Sequence, residues 1–332
     1  MSTSLFTPLC ELLECRYPIL LAGMGGVARH RLASAVSEAG GFPALGMVRE
    51  PCERIHAEVL ALRETCAKPF AVNLIPRATA PSLLKAQVDT CLQLEVPFIE
   101  LFWDVDTELI RHLKAEGVRV IHQVGNRRDT EAALKAGVDV LIAQGNEAGG
   151  HVRGTIGTLS LLAELLPISH VPVVAAGGIA SGRALAAALA MGAQGANLGT
   201  ALLATAESNA HLMHKERVVQ AGADDTIYTR KFHRNWHEAA PVRVLRNSVT
   251  RGERRERDDP LKPVVIGQQD GMPVHLYSTD SPLLDATGEL EAMALYAGQS
   301  CGQISMILTA RQRIEEIVEE AQRMLKTTTL GE

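Results

Sequence analysis

Between residues 17 and 198, short apolar or β-branched runs alternate with stretches whose apolar positions recur every three or four residues. The first pattern predicts buried strands and the second amphipathic helices, in units of about 25 residues. Strands are predicted at 17–23, 41–48, 69–74, 97–102, 118–124, 139–144, 172–176 and 195–198. Helices are predicted between them at 28–39, 52–66, 81–94, 106–116, 128–136, 159–165 and 182–191, the last bracketed by Ser181 as a cap and Gly192 as a stop. Eight strands spaced by helices predict an α/β fold, a parallel (β/α)8 TIM barrel. No dinucleotide fingerprint argues for an open, doubly wound sheet instead.

The rhythm stops near Ala206. Residues 209–302 hold the pairs His211/His214 and His233/His237, the mixed-charge run 251–259 and several prolines, and predict a mainly helical lid. An amphipathic helix at 304–327 then returns to close the barrel from outside. The expected organisation is a barrel of 1–208 and 303–332 with a lid of 209–302 inserted after strand eight, on the face where barrel active sites form.

Composition narrows the partners. With 332 residues, 46% of them hydrophobic, the chain can bury a large core. A net charge of −5 gives no broad basic field for nucleic acid or anionic lipid, so a small-molecule substrate is expected. No apolar run is long enough to span a membrane, and residues 1–16 lack a basic start followed by an apolar stretch, which points to a cytoplasmic setting. The six cysteines are scattered without a CxxC pair and read as buried free thiols. The His pairs lack a third ligand, so no metal is expected.

Three glycine-rich segments carry candidate chemistry. Pro172-Val-Val-Ala-Ala-Gly177-Gly178-Ile is a buried strand opening into two glycines and a helix start, and Gly195-Ala-Asn-Leu-Gly199-Thr200 ends the next strand. Glycine lets backbone approach an anion, and a helix N-terminus offers free N–H groups, so together they predict a phosphate site after strands seven and eight. The loop Gln144-Gly-Asn-Glu147-Ala-Gly149-Gly150-His151 presents one imidazole at the end of strand six, where it can exchange a proton or bond a developing anion. Ala22-Gly23-Met24-Gly-Gly, after strand one, has the small residues that let a flat ring lie on backbone. Trp103 and Trp236 read either as pocket wall or as core.

Together with Asn73 in Ala-Val-Asn-Leu, Pro241-Val-Arg-Val-Leu-Arg-Asn and Tyr296-Ala-Gly-Gln-Ser, these segments resemble the nitronate monooxygenase family over most of the chain. The resemblance implies FMN as cofactor and no metal. It implies that Ala22, Gly23 and Met24 run along the isoalloxazine, that Asn73 and Gln144 hydrogen-bond it beside Gly149 and Gly150, and that Gly177, Gly178, Gly199 and Thr200 hold the phosphate. His151 falls on the family's catalytic base. The implied reaction oxidises a nitronate or nitroalkane with O2 to a carbonyl compound and nitrite.

Two other classes stay open. One is an NAD(P)H-dependent FMN reductase of quinones or enoyl thioesters on the same scaffold. The other is a barrel for a different phosphate ligand, an isomerase, lyase or binding protein, for which Glu147 is the near candidate as a second acid. A homodimer is compatible with each.

Overall fold

The computed structural model describes residues 5–236, 240–254, 256 and 258–329. Its sheet strands are β1 (Ile19–Leu21), β2 (Ala44–Gly46), β3 (Ala71–Leu74), β4 (Phe98–Phe102), β5 (Arg119–Val124) and β6 (Val140–Gln144). A two-residue strand, β7 (Gly150–His151), lies outside that sheet; β8 (Val173–Ala176) and β9 (Gly195–Leu198) complete it. The eight parallel strands run in the order β1-β9-β8-β6-β5-β4-β3-β2, and a bridge from Leu20 to Phe42 joins the two ends. The barrel and all eight expected strands are therefore present.

Helices α1 (Pro8–Leu13), α2 (His30–Glu38), α3 (Cys52–Thr65), α4 (Pro81–Gln93), α5 (Thr107–Ala115), α6 (Arg127–Ala136), α7 (Thr158–Leu165) and α8 (Gly182–Ala190) precede a single turn, α9 (Thr200–Leu203). Their ends follow local chemistry. Asp106, Asn126 and Ser181 accept N–H bonds from the first turns of α5, α6 and α8, and Gly192 beyond α8 takes φ +104°, a conformation only glycine enters freely.

Successive side chains on a strand alternate between the barrel interior and the surrounding helices. The interior is filled by Phe42, Phe98, Ile121, Ile142 and Val174, with the Phe42 and Phe98 rings edge to face at 5.3 Å. Helix α1, which the hydrophobic pattern did not predict, adds Leu9 and Leu13 to this core, and the Thr7 hydroxyl at its start donates to the Gln194 carbonyl at 2.7 Å. Five of the six cysteines are buried, and all are free thiols.

The inserted segment differs from expectation. Among its described residues are α10 (Leu212–Gln220) and the single turn α11 (Ser248–Arg251), but also β10 (Thr226–Thr229), β11 (Val242–Leu245), β12 (Val265–Gln269), β13 (Met272–His275) and β14 (Thr287–Gly288). These strands make a sheet β10-β11-β7 and a sheet β13-β12-β14 around their own small core, which includes Phe232, Val244, Ile266 and Val274. The lid is mixed rather than mainly helical, because strands this short show little periodicity. Its clearest signal is Asp270-Gly271, whose φ values of +51° and +72° make the hairpin turn. Helix α12 (Ala310–Thr329) closes the ring, pressed so near to α8 that a Cβ on Gly182 would strike its backbone. No helix among the described residues is long and apolar enough to cross a membrane.

Candidate active site

The alternation that fills the barrel with apolar side chains ends in a polar layer at the strands' C-terminal ends. Asn73 stands two residues beyond Ala71, Glu100 beyond Phe98, Gln123 beyond Ile121, Gln144 beyond Ile142 and Asn197 beyond Gly195, all five buried. They floor a cavity of about 500 Å³ between barrel and lid. All twelve expected site residues line the same cavity: Ala22, Gly23, Met24, Asn73, Gln144, Gly149, Gly150, His151, Gly177, Gly178, Gly199 and Thr200.

The floor is held tightly. A Cβ on Gly23 would run into Asn73, whose amide donates to Glu100 Oε1 at 3.2 Å. Burial pushes the Glu100 carboxyl up to about 8, so it is the neutral acid at neutral pH. Asn73 Oδ1 and Asn197 Oδ1 are buried and have no hydrogen-bond partner among the described residues. Buried acceptors of this kind fit a ligand that brings donors.

Gln144 acts on the loop above it. Its Nε2 donates to the His151 carbonyl at 2.9 Å and its Oε1 accepts the Arg153 N–H at 3.1 Å. His151 is also fixed from the lid, since β7 pairs antiparallel with β11 through His151 and Val242. Its ring stacks on Trp236 with centroids 4.0 Å apart and faces Tyr296 at 5.9 Å. Its Nε2 is buried without a hydrogen-bond partner among the described residues. Burial, helped by the positive Arg49, pushes the imidazole down to about 3, so it is neutral throughout the physiological range. Arg49 lines the cavity too and is strapped to the lid by Nη1 donating to the Asn235 carbonyl at 2.6 Å.

The glycines divide into two kinds. Gly177 and Gly178 have φ of +99° and +75° and need to be glycine for the turn alone. Gly199 has φ −96° and only ordinary contacts around a built Cβ, with Ala22 and Met24 at 3.8 and 3.9 Å. There the missing side chain leaves room on the cavity side. The start of α8 is not free, contrary to the sequence reading: Gly182 N–H is held by Glu320, Ala184 N–H by Ser181 and Ala180 N–H by Gln303. Thr200 Oγ1 accepts the Gly298 N–H at 2.9 Å and keeps its own proton to donate.

Glu147 is engaged elsewhere, accepting from Thr158 N–H and Oγ1 at the start of α7, so the cavity's buried acid is Glu100. Sequence reading missed Glu100, Gln123, Asn197 and Arg49. Trp236 proves to be cavity wall, and Trp103 packs behind it with centroids 5.0 Å apart. Among the histidines, His211 caps α10, His214 bonds the Tyr296 carbonyl and His233 pairs with Asp258, while His237 lies outside the described residues.

Comparison with known proteins agrees with this geometry. The nitronate monooxygenase family model matches residues 7–84 and 76–320, and the chain belongs to that family. It is 30% identical to a Mycobacterium tuberculosis enzyme, (3aS,4S,5R,7aS)-5-hydroxy-7a-methyl-1-oxo-octahydro-1H-indene-4-carboxyl-CoA dehydrogenase, over 97% of this chain and 98% of that protein. Among solved structures it resembles FabK from Thermotoga maritima (32% identity, 98% of both chains, TM-score 0.84). It also resembles nitroalkane oxidase from Streptomyces ansochromogenes (27% identity, 97% of this chain and all of that one, TM-score 0.77). The protein is a flavin-dependent oxidoreductase on a TIM barrel.

Proposed function

We propose that the cavity binds FMN and that the protein oxidises preformed nitronate anions with O2, His151 standing beside the reacting carbon. The observation that carries this is a neutral His151 whose Nε2 has no partner among the described residues, in the same cavity as the cation Arg49. An imidazole held this far below its ordinary value is a poor base for the α-proton of a neutral nitroalkane. A nitronate needs no such base, and its charge suits Arg49.

The residues present fit the cofactor. Gly199 leaves open the space a side chain would fill, and Asn73 and Asn197 offer acceptors to a heterocycle. In this reading the loop at Gly177 and Gly178, with Gly199 and Thr200, holds the phosphate; Ala22, Gly23 and Met24 lie along the ring; Gly149 and Gly150 close over it. Bound FMN would relay electrons between nitronate and O2; two nitronates and one O2 balance to two carbonyl compounds and two nitrites, the C=N bond breaking and the carbonyl oxygen coming from O2. Arg49 and His151 orient the anion, and Trp236 keeps water from it. Anaerobic mixing tests this: the flavin band should bleach with a nitronate, more slowly with the parent nitroalkane, and nitrite should form once air is admitted. Absence of flavin, or bleaching by NADPH alone, overturns the reading.

A second reading, NAD(P)H-dependent reduction of an enoyl thioester, is favoured by one observation. Trp236 also walls a second, arginine-lined cavity, which gives room for a larger phosphorylated reactant.

A further inference from the structure

The floor of the cavity sets one hydrogen-bond donor beside one acceptor. Glu100 is 4% exposed and its Oε1 accepts the Asn73 amide at 3.2 Å, while its Oε2 has no hydrogen-bond partner among the described residues and opens on the cavity. Asn73 Oδ1, buried next to it, is the unfilled acceptor. We propose that Glu100 enters the flavin site as a proton-bearing acid, donates from Oε2 to a carbonyl of the flavin's imide edge, and so makes the bound flavin easier to reduce. The inference rests on the cavity being the FMN site. It holds whether a nitronate or NAD(P)H supplies the electrons.

The surroundings keep the proton on the acid. Among the described residues no cation pairs with Glu100, and an ionised carboxylate at that depth would stand bare in an apolar barrel. In register beside it lie Asn73 on β3 and Ile121 on β5, neither of which titrates. The titratable side chains that share the cavity, Arg49, Glu50, His151, Asp270, Asp280 and Tyr296, belong to the loops and lid above it. Burial is the main influence on the carboxyl, and the Asn73 amide opposes it without overcoming it.

Donor and acceptor together complement an imide, in which an N–H stands between two carbonyls. Asn73 Oδ1 takes the N–H and Glu100 donates to the neighbouring oxygen. The glycine at 23 leaves the approach open: a Cβ there would lie 2.3 Å from Asn73 Cβ, and Gly23 belongs to the segment along which the ring lies in the reading above. Reduction by two electrons and one proton leaves a negative charge spread over the flavin's imide side. A hydrogen bond to a charged acceptor is roughly twice as strong as one to a neutral acceptor, so the donor favours the reduced flavin over the oxidised one. The Glu100 proton is held and not consumed: the electrons come from the substrate and the ring's proton from solvent.

The test is the midpoint potential of the FMN-loaded protein, read from its visible spectrum against a reference dye, for the parent, Glu100→Gln and Glu100→Leu. In the Gln variant an amide N–H replaces the acid O–H; in the Leu variant nothing donates. Near neutral pH the Leu variant should lose at least about tenfold of the preference for reduced over oxidised FMN, a midpoint lower by about 30 mV or more for a two-electron couple. The Gln variant should stay closer to the parent. Above about pH 8 the parent's potential should fall more steeply with pH than the Gln variant's. The charge on the reduced flavin keeps Glu100 protonated after the oxidised form has released its proton, so reduction there takes up an additional one. If the Leu variant fails to fold, Glu100→Gln, which keeps the size and the Asn73 bond, carries the comparison through its pH slope. A Leu variant with the parent's potential, or parent and Gln potentials that run parallel throughout, overturns the proposal and leaves the flavin reading standing. Protein that takes up no flavin overturns both.

Discussion

The imidazole of His151 lies almost flat on the indole of Trp236, the centroids 4.0 Å apart and the planes inclined by 24°. The indole covers one face of a ring whose low proton affinity comes from exclusion of water. Trp236→Ala should therefore admit water and move the His151 titration from about 3 toward the ordinary value of about 6.5. Histidine-labelled protein, with His151→Asn to assign the signal, reads this by NMR. An unmoved titration would show that the indole is not what dries the ring.

Gly199 and Gly177 separate two reasons for being glycine. At Gly199 the backbone is ordinary and a Cβ finds van der Waals distances, so Gly199→Ala should leave the melting temperature of the flavin-free protein within a few degrees. In the proposed site the methyl group would take up cofactor space, so the FMN dissociation constant should rise about tenfold or more. At Gly177, with φ +99° and Ala148 N 2.9 Å from a built Cβ, the same change should cost about 1–3 kcal/mol with or without flavin. Flavin-free Gly199→Ala protein that is as unstable as Gly177→Ala would refute the distinction.

The barrel was legible because each strand is a short apolar run that helices cover on one side and the core on the other. The polar floor was legible only where a motif drew attention to it, at Asn73 and Gln144. Glu100 sits inside the run Pro97-Phe-Ile-Glu-Leu-Phe, which reads as one apolar strand. Counting every second residue from Phe98 would have placed its carboxyl in the cavity, and the same count finds Gln123 and Asn197. Arg49 had no such signal: its place depends on a loop with φ +58° and on lid atoms distant in sequence. The lid's strands were hidden by their length, and α1 by being a six-residue helix whose sole cue was Pro8 after Thr7.

Glu100 gives a pH dependence whose sign is fixed. Its carboxyl titrates near 8 in the folded protein and near 4.3 when unfolded. Between those values the unfolded state binds fewer protons, so stability falls as pH rises, and below about pH 4 the penalty is absent. Glu100→Gln keeps a neutral partner for Asn73 and removes the cost. The flavin-free variant should melt several degrees above the parent at pH 8 and close to it at pH 4. The same offset at both pH values would mean that Glu100 is not held protonated.

Arg49, a cation lining the cavity, provides the test between anionic and neutral substrates. Its guanidinium faces the cavity near His151 and Tyr296, held by the Asn235 carbonyl and, at 3.4 Å, by Thr279 Oγ1. A charge-assisted hydrogen bond contributes about 1.5–3 kcal/mol, so Arg49→Met, which keeps the apolar stem, should raise KM for a nitronate roughly 10- to 150-fold. If the guanidinium serves binding alone, kcat should change by less than about threefold. The same variant removes a positive neighbour of His151 and should raise that group's proton affinity. Loosening of the lid strap would instead lower kcat and weaken every reactant alike. A nitronate KM that stays put, with activity intact, would show that the anion is not held at Arg49 and would turn the substrate assignment toward neutral acceptors.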